Sequence, residues 1–290
     1  MKRFIITLLS ILLCLLVVHA ELLWQVSGPG IERPSYLFGT HHVAPVDMLD
    51  SVAGFDKAFE SVDAVCGEIV MSEMAKPAVQ QQMMAAATAP ADSTLSSLLT
   101  PEQTDSLNAF LQKYMGPQVA AAMFDRLKPA MLQTVVAMAM NQAIFPDFDP
   151  NQQLDGTILR LAADDNKSVG GRETIDDQCE ALFGAPVSEQ AADLMRVVSA
   201  DDRQMQLARS LADRYLAGDL DGLFALMLDE MDDATARRMI YDRNDRWVKT
   251  ITSRLASQPT LYAVGAGHLV GEHGLIEQLR RAGYTVTPVK

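Results

Sequence analysis

Histidine is scarce in this chain, five among 290 residues, and cysteine is scarcer at three. Cys14 falls in an apolar N-terminal run, which leaves Cys66 and Cys179 far apart in sequence. Two such cysteines make no disulfide framework. A single bridge and two buried thiols both stay open. Clusters of Lys and Arg are missing and the formal charge is −13, which excludes a nucleic-acid or acidic-lipid partner, since phosphate contacts need grouped cations. After residue 20 no apolar run is long enough to cross a bilayer, so no stable membrane insertion is expected. A Gly-x-Ser-x-Gly elbow is absent, and with it serine-hydrolase chemistry of that type. Gly265-Ala-Gly267 hints at a dinucleotide loop, but Val270 stands where the third glycine belongs, and too little chain follows for a βαβ unit.

The first twenty residues read as a secretory signal: Lys2 and Arg3, an apolar core from Phe4 to Val18, and a small-residue cleavage site at Val18-His19-Ala20. Losing Lys2 and Arg3 makes the charge about −15. The product is expected to be secreted or periplasmic. Residues 21–290 suffice for one large domain or two small ones and read as one.

The remaining four histidines sort into two similar contexts. Tyr36-Leu-Phe38 reads as a strand leaving through Gly39-Thr40 into His41 and His42; Leu261-Tyr-Ala-Val264 runs into Gly265-Ala-Gly-His268, with His273 beyond. Imidazole is the commonest metal ligand and the usual proton carrier at neutral pH. One site built from both ends of the chain is therefore expected. Val62 to Val70 reads as a strand placing Glu68 on one face with Val62, Ala64 and Cys66. Glu68 is either a surface carboxylate at a strand end or a metal ligand or general base beside the histidine loops. Imidazole plus carboxylate is the ligand set of a divalent transition metal.

Leu22–Val26 and Tyr36–Phe38 read as a hairpin, and a helix is expected from about Leu49 through Phe59. Residues 72–257 are rich in Ala, Met, Leu and Gln at helical spacing. Thr100-Pro-Glu-Gln103 is a helix start with a capping box, and Gly116-Pro117 should end that helix. Pro129 implies two shorter helices or one kinked helix among Met123, Met131, Met138 and Met140. These methionines read as core rather than as a binding groove. Residues 85–97 read as a loop, Lys167–Val169 as a short strand, and Thr174 with Asp177 as a cap. Glu173 is either first-turn dipole complementarity or a site residue. Helices are expected around 189–216 and 220–228. In the last long helix Arg243-Asn244 is either an exposed polar face or a guanidinium and amide facing the site. Pro288 favours a sheet edge. The fold class is thus α/β, with α+β as the variant: a small mixed sheet from the two terminal segments and a large helical insertion between them.

These features resemble the TraB/GumN family, related to the TIKI metalloproteases. Its two Gly-x-x-His motifs appear as Gly39-Thr-His-His42 and Gly265-Ala-Gly-His268, and its glutamate matches Glu68. Leu22-Leu-Trp24, Leu154-Asp155, Arg172-Glu-Thr174 with Gln178, Ala217-Gly-Asp-Leu220, Arg243-Asn244 and Gly283-Tyr-Thr-Val286 extend the likeness nearly end to end. The resemblance implies cleavage of a peptide or protein substrate with a divalent metal (manganese, cobalt or zinc). His42 and His268 would hold the ion, Glu68 would complete the site or activate water, and Arg243 and Asn244 would bind substrate or an oxyanion. His41 stands where members often have Ile, and His273 is a further imidazole. Which histidine serves as ligand stays open, as does a non-catalytic exported protein that binds peptide or a small ligand in the same cleft.

Overall fold

The computed structural model describes residues 22–146, 148–149 and 152–290; the expected leader lies outside them. Six strands form one sheet: β1 (Leu23–Ser27), β2 (Ser35–Thr40), β3 (Ala64–Gly67), β4 (Ser168–Gly171), β5 (Thr260–Gly265) and β6 (Thr285–Pro288), in the order β4-β3-β5-β2-β1-β6. The β1–β2 pair is the expected hairpin, antiparallel with Leu23 opposite Phe38. It closes through Gly30 at φ 77°, the left-handed region that glycine enters without strain. β4, β3, β5 and β2 are mutually parallel, and β6 returns antiparallel to β1. Residues of β2 and β5 are buried on both faces, which is why Tyr36–Phe38 and Leu261–Val264 are continuous apolar runs rather than alternating ones. Pro288 lies at the edge, where a missing N–H breaks no ladder. The α/β reading with a mixed sheet holds.

Between β3 and β5 the described chain is helical except for β4. The capping box at Thr100 is formed, with Gln103 N donating to Thr100 Oγ1 at 3.2 Å and Thr100 N to Gln103 Oε1 at 2.9 Å. The helix Pro101–Met115 stops at Gly116, φ 104°. Pro129 opens the helix Pro129–Ile144 at its first turn, where its missing N–H costs nothing. A separate 3-10 turn, Ala121–Phe124, precedes it, so the stretch is two pieces and not one kinked helix. Leu107, Leu111, Leu132 and Leu194 form a second core inside this helical part, apart from the cluster that covers the sheet.

Three local expectations need correction, and one open alternative is decided. The helix expected through Phe59 is a 3-10 turn, Val46–Ser51, and a helix, Phe55–Ser61, separated by left-handed Gly54. The 189–216 stretch is two helices, Val187–Ser199 and Asp201–Leu216; Asp201 and Asp202 sit in the first turn of the second, favourable to its dipole. The stretch 85–97 is not one loop. It carries the end of a helix, a bridge from Thr88 to Leu127 and a one-turn helix, Leu95–Leu98. Cys66 and Cys179 are separate buried free thiols.

Candidate active site at the C-terminal edge of the sheet

β3, β5 and β2 are adjacent and parallel, so their C-terminal ends open on the same side. Glu68 follows β3 directly, His42 lies two residues past β2, and His268 three past β5. In the register Thr40 pairs with Gly265, which starts the two histidine loops level with each other. This edge is where ligands bind in open parallel sheets. β3 ends at Gly67 rather than running on to Val70, because the chain bends at Glu68, whose carbonyl accepts from the N–H groups of Arg172 and Glu173.

His268 is 6% exposed. Asn244 fixes its tautomer. Asn244 Nδ2 donates to the carbonyls of His268 (3.1 Å) and His273 (2.8 Å), so its Oδ1, 2.7 Å from His268 Nδ1, must accept. The ring proton therefore sits on Nδ1 and the Nε2 lone pair is available. Arg243 Nη1 donates to it at 3.1 Å, and Glu68 Oε1 lies 3.8 Å away. The ring rests against Trp247, centroids 4.5 Å apart. Burial pushes the imidazole down to about 4, with Arg243 and His42 in the same direction and Glu68 opposing. His268 is neutral at pH 7.

Arg243 and Asn244 are 4% and 0% exposed, so the exposed-face alternative is not what the helix Asp242–Thr252 presents. Every guanidinium nitrogen of Arg243 is engaged. Nε donates to Glu173 Oε2 (3.0 Å), Nη2 to Glu173 Oε1 (2.7 Å) and Glu68 Oε2 (2.5 Å), and Nη1 to Met239 O (2.9 Å) as well as His268. The group also lies over Trp247 at 4.8 Å. Preceding this helix is a π-helical turn, Arg237–Tyr241, an irregularity frequent at functional sites.

Glu68 is held by Arg243 on one oxygen and by Gly265 N–H on the other, at 2.9 Å. A Cβ on residue 265 would come within 3.2 Å of that second oxygen, so glycine keeps the approach open. Burial raises the carboxyl, but His268, Arg243, His42 and the Gly265 N–H outweigh it and bring it to about 2. Glu68 is an anion throughout the neutral range. Burial pushes Glu173 up against the pull of Arg243.

His42 behaves differently. Its side chain is 54% exposed to solvent at a cleft mouth and donates Nδ1–H to Asp155 Oδ2 at 3.1 Å. Desolvation by the surrounding cleft lowers its pKa, but the Asp155 hydrogen bond and charge, with Glu68 behind, raise it to about 9. His41 turns to another cavity, packed against Tyr215 and Phe145 with ring centroids at 5.2 and 6.4 Å. Burial, then the His42 charge, push His41 down to about 4. His273 stacks on Tyr241 at 4.3 Å. Sequence reading gives Asp155 and Trp247 no site role. Asp155 has two signals, the family-like pair Leu154-Asp155 and its place at the start of the helix Leu154–Asp164, and Trp247 one, its spacing of four from Arg243.

The donor chemistry suits a divalent cation in a specific respect. Asp155 and Asn244 each take the Nδ1 proton of a histidine, the outer arrangement that leaves Nε2 to a metal. An ionised carboxylate stands beside one of them. Among the described residues, however, no three His, Cys, Asp or Glu side chains gather closely enough to hold an ion, and Arg243 occupies both the His268 lone pair and a Glu68 oxygen.

The chain is similar to proteins named as metalloproteases. The chain is 25% identical over 314 residues to metalloprotease TIKI1 of Danio rerio, across 91% of this chain and 62% of that protein. It is 23% identical over 315 residues to metalloprotease TIKI2 of the same fish, across 91% and 60%. It is 25% identical over 317 residues to a metalloprotease TIKI homolog of the sponge Amphimedon queenslandica, also across 91% and 60%. The chain spans about three fifths of the length of these relatives. No solved structure matches it. The TraB/PrgY/gumN family profile matches residues 22–288, and the chain belongs to that family.

Proposed function

We propose that this chain is an exported, metal-dependent hydrolase that cleaves peptide bonds. One observation carries the reading: a neutral, Nδ1-protonated His268 directs Nε2 toward an ionised Glu68 at 3.8 Å. The similar proteins named as metalloproteases support it. His268, Glu68 and His42 are the residues that would hold the ion. A bound cation of this class supplies a Lewis acid and a water of lowered pKa.

The chain's own groups have separable tasks. Asn244, with both amide protons engaged, positions His268 and faces no substrate. Asp155 orients His42. Arg243 offsets the charge of Glu68 and Glu173, and it meets a substrate carbonyl or carboxylate only by exchanging one of its present bonds. Glu68, anionic far below neutral pH, is better suited to hold a cation than to act as a general base, whose pKa should lie near the working pH.

Binding without turnover is a second reading, favoured by the full engagement of Arg243. Metal analysis of the mature protein, with peptide-library turnover in manganese, cobalt or zinc, separates the two. Turnover that His268→Ala and Glu68→Gln abolish while the fold survives is expected. Folded, metal-supplemented protein that binds peptides and leaves them intact would establish the binder.

A further inference from the structure

Beside Glu68 the structure opens a cleft of about 260 Å³ whose walls are mostly sulfur and hydrocarbon. Met71, Met74, Met83 and Met138 line it, from the 3-10 turn Met71–Ala75 and the helices Pro77–Ala87 and Pro129–Ile144. Only part of the methionine stripe is therefore core. Met140 is buried, Met123 is solvent-exposed, and Met138 faces this opening. Among the described residues, the charged or titratable acid–base groups on the lining are, apart from the Cys179 thiol, His42, Glu68 and Asp155. Gln178 also lines the cleft. Its Oε1 is buried without a hydrogen-bond partner, and so is Oδ1 of Asp155.

Two unmet buried acceptors in an apolar cleft call for a ligand that brings N–H donors along with hydrocarbon. A peptide does both. The volume lies just under the ~300–1,000 Å³ of typical small-ligand sites, closer to one large residue than to a cofactor. Methionine walls adapt to unbranched, branched and aromatic side chains alike. The charged groups on the lining are already paired, Glu68 with Arg243 and Asp155 with His42.

We propose that this cleft receives one apolar side chain of the peptide substrate, of Leu, Met or Phe size, with a substrate backbone N–H donated to Gln178. The inference rests on the peptidase reading and adds the residue class that the site selects. The test uses full-length mature protein and a series of blocked hexapeptides, identical except for one position carrying Leu, Met, Phe, Asp, Lys or Gly. Cleavage is followed in the wild type, and anisotropy of the labelled peptides on Glu68→Gln reports binding alone.

The apolar peptides should exceed the Asp and Lys peptides by about tenfold or more in kcat/KM, the range a hydrophobic pocket commands. Met138→Glu should lose the preference for Leu, mostly through KM, and gain it for Lys. Met83→Glu, on another wall, should do the same where Met138→Glu melts too low to assay. Gln178→Leu should weaken binding of all the peptides with little change in their ranking. Cleavage with equal efficiency for every side chain overturns the cleft proposal and leaves the hydrolase reading standing. Selective binding of Leu peptides, reversed by Met138→Glu but without cleavage by wild type, keeps the cleft and overturns the hydrolase. Neither binding nor cleavage overturns both.

Discussion

Glu173 grips Arg243 through two parallel bonds, Nε to Oε2 at 3.0 Å and Nη2 to Oε1 at 2.7 Å, with 1% of the carboxylate side chain exposed. This is the fork-to-fork geometry in which guanidinium and carboxylate bind most specifically. Glu68 alone cannot offset Arg243 in the same way, because its other oxygen is committed to Gly265. Removing one partner from a buried pair strands the other charge. Glu173→Ala should therefore cost about 3–5 kcal/mol in urea unfolding, and Glu173→Gln less. A loss below about 1 kcal/mol, the range of an exposed pair, would show that Arg243 is held by its other contacts.

The Asn244–His268 contact makes a prediction about protonation rather than stability. A carboxylate at position 244 would still accept the Nδ1 proton and would add a negative charge next to the ring. Asn244→Asp should raise the pKa of His268 above its value of about 4, as read from imidazole resonances over a pH titration. An unchanged titration would mean that residue 244 does not set the tautomer.

Metal-free protein should lose stability on both sides of neutrality. His268 and His41 sit at about 4 when folded and near ~6.5 when unfolded. Below the unfolded value the unfolded chain takes up protons first, so stability falls as pH drops from about 6.5 toward 4. His268 alone accounts for something on the order of 3 kcal/mol. His42 runs the other way: raised to about 9, its contribution is complete below ~6.5 and fades as pH rises through the folded value. Solvent screening of this half-exposed group makes the alkaline limb the shallower one. Urea midpoints measured in chelator across this range test both limbs. His41→Phe, which keeps the ring between Tyr215 and Phe145, should remove part of the acid limb. A midpoint that stays flat down to about pH 4.5 contradicts buried neutral imidazoles.

Manganese, cobalt or zinc should raise the melting temperature of stripped protein near neutral pH, since a ligand of the native state stabilises by mass action. The rise should shrink as pH falls below about 9, where His42 takes up a proton, with a further loss toward about 4 as His268 does, and His268→Ala should remove most of it. His41→Ala and His273→Ala should matter less, because their rings face other neighbours. If all three metals leave the melting curve unmoved, the metal site is wrong.

Arg243→Met sharpens this last point. It leaves Glu68 and Glu173 buried without their guanidinium, so the variant should be several kcal/mol less stable in chelator. Divalent metal should then restore more of the melting temperature than it adds to wild type. Equal metal responses would show that Arg243 and a cation do not compete for the same donors.

Much of this was legible in one dimension because it depends on near neighbours in the chain. The Thr100 capping box, the stop at Gly116 and the Pro129 helix start each follow from a few adjacent dihedrals and side chains. The alternation between glycine turns and apolar runs marks β2 and β5 and, with them, the two loops carrying His42 and His268. The burial of both faces of those strands is visible as unbroken hydrophobicity. Pairing of the chain ends followed from two like motifs, and the parallel order then put their loops on one edge.

What tertiary structure alone decided is which side chain takes which partner. Adjacent His41 and His42 diverge into different cavities, one toward Tyr215 and the other toward Asp155, 113 residues away. Glu173, equally readable as a helix-start carboxylate, becomes the second anchor of Arg243 because β4 runs parallel to β3 and delivers it beside Glu68. Met138 and Met140 differ by two positions, which on a helix is more than half a turn, so one lines a cleft and the other fills a core. Local periodicity states that such residues are apolar or charged. Desolvation, hydrogen-bond satisfaction and charge pairing are settled only by the groups brought near from elsewhere in the chain.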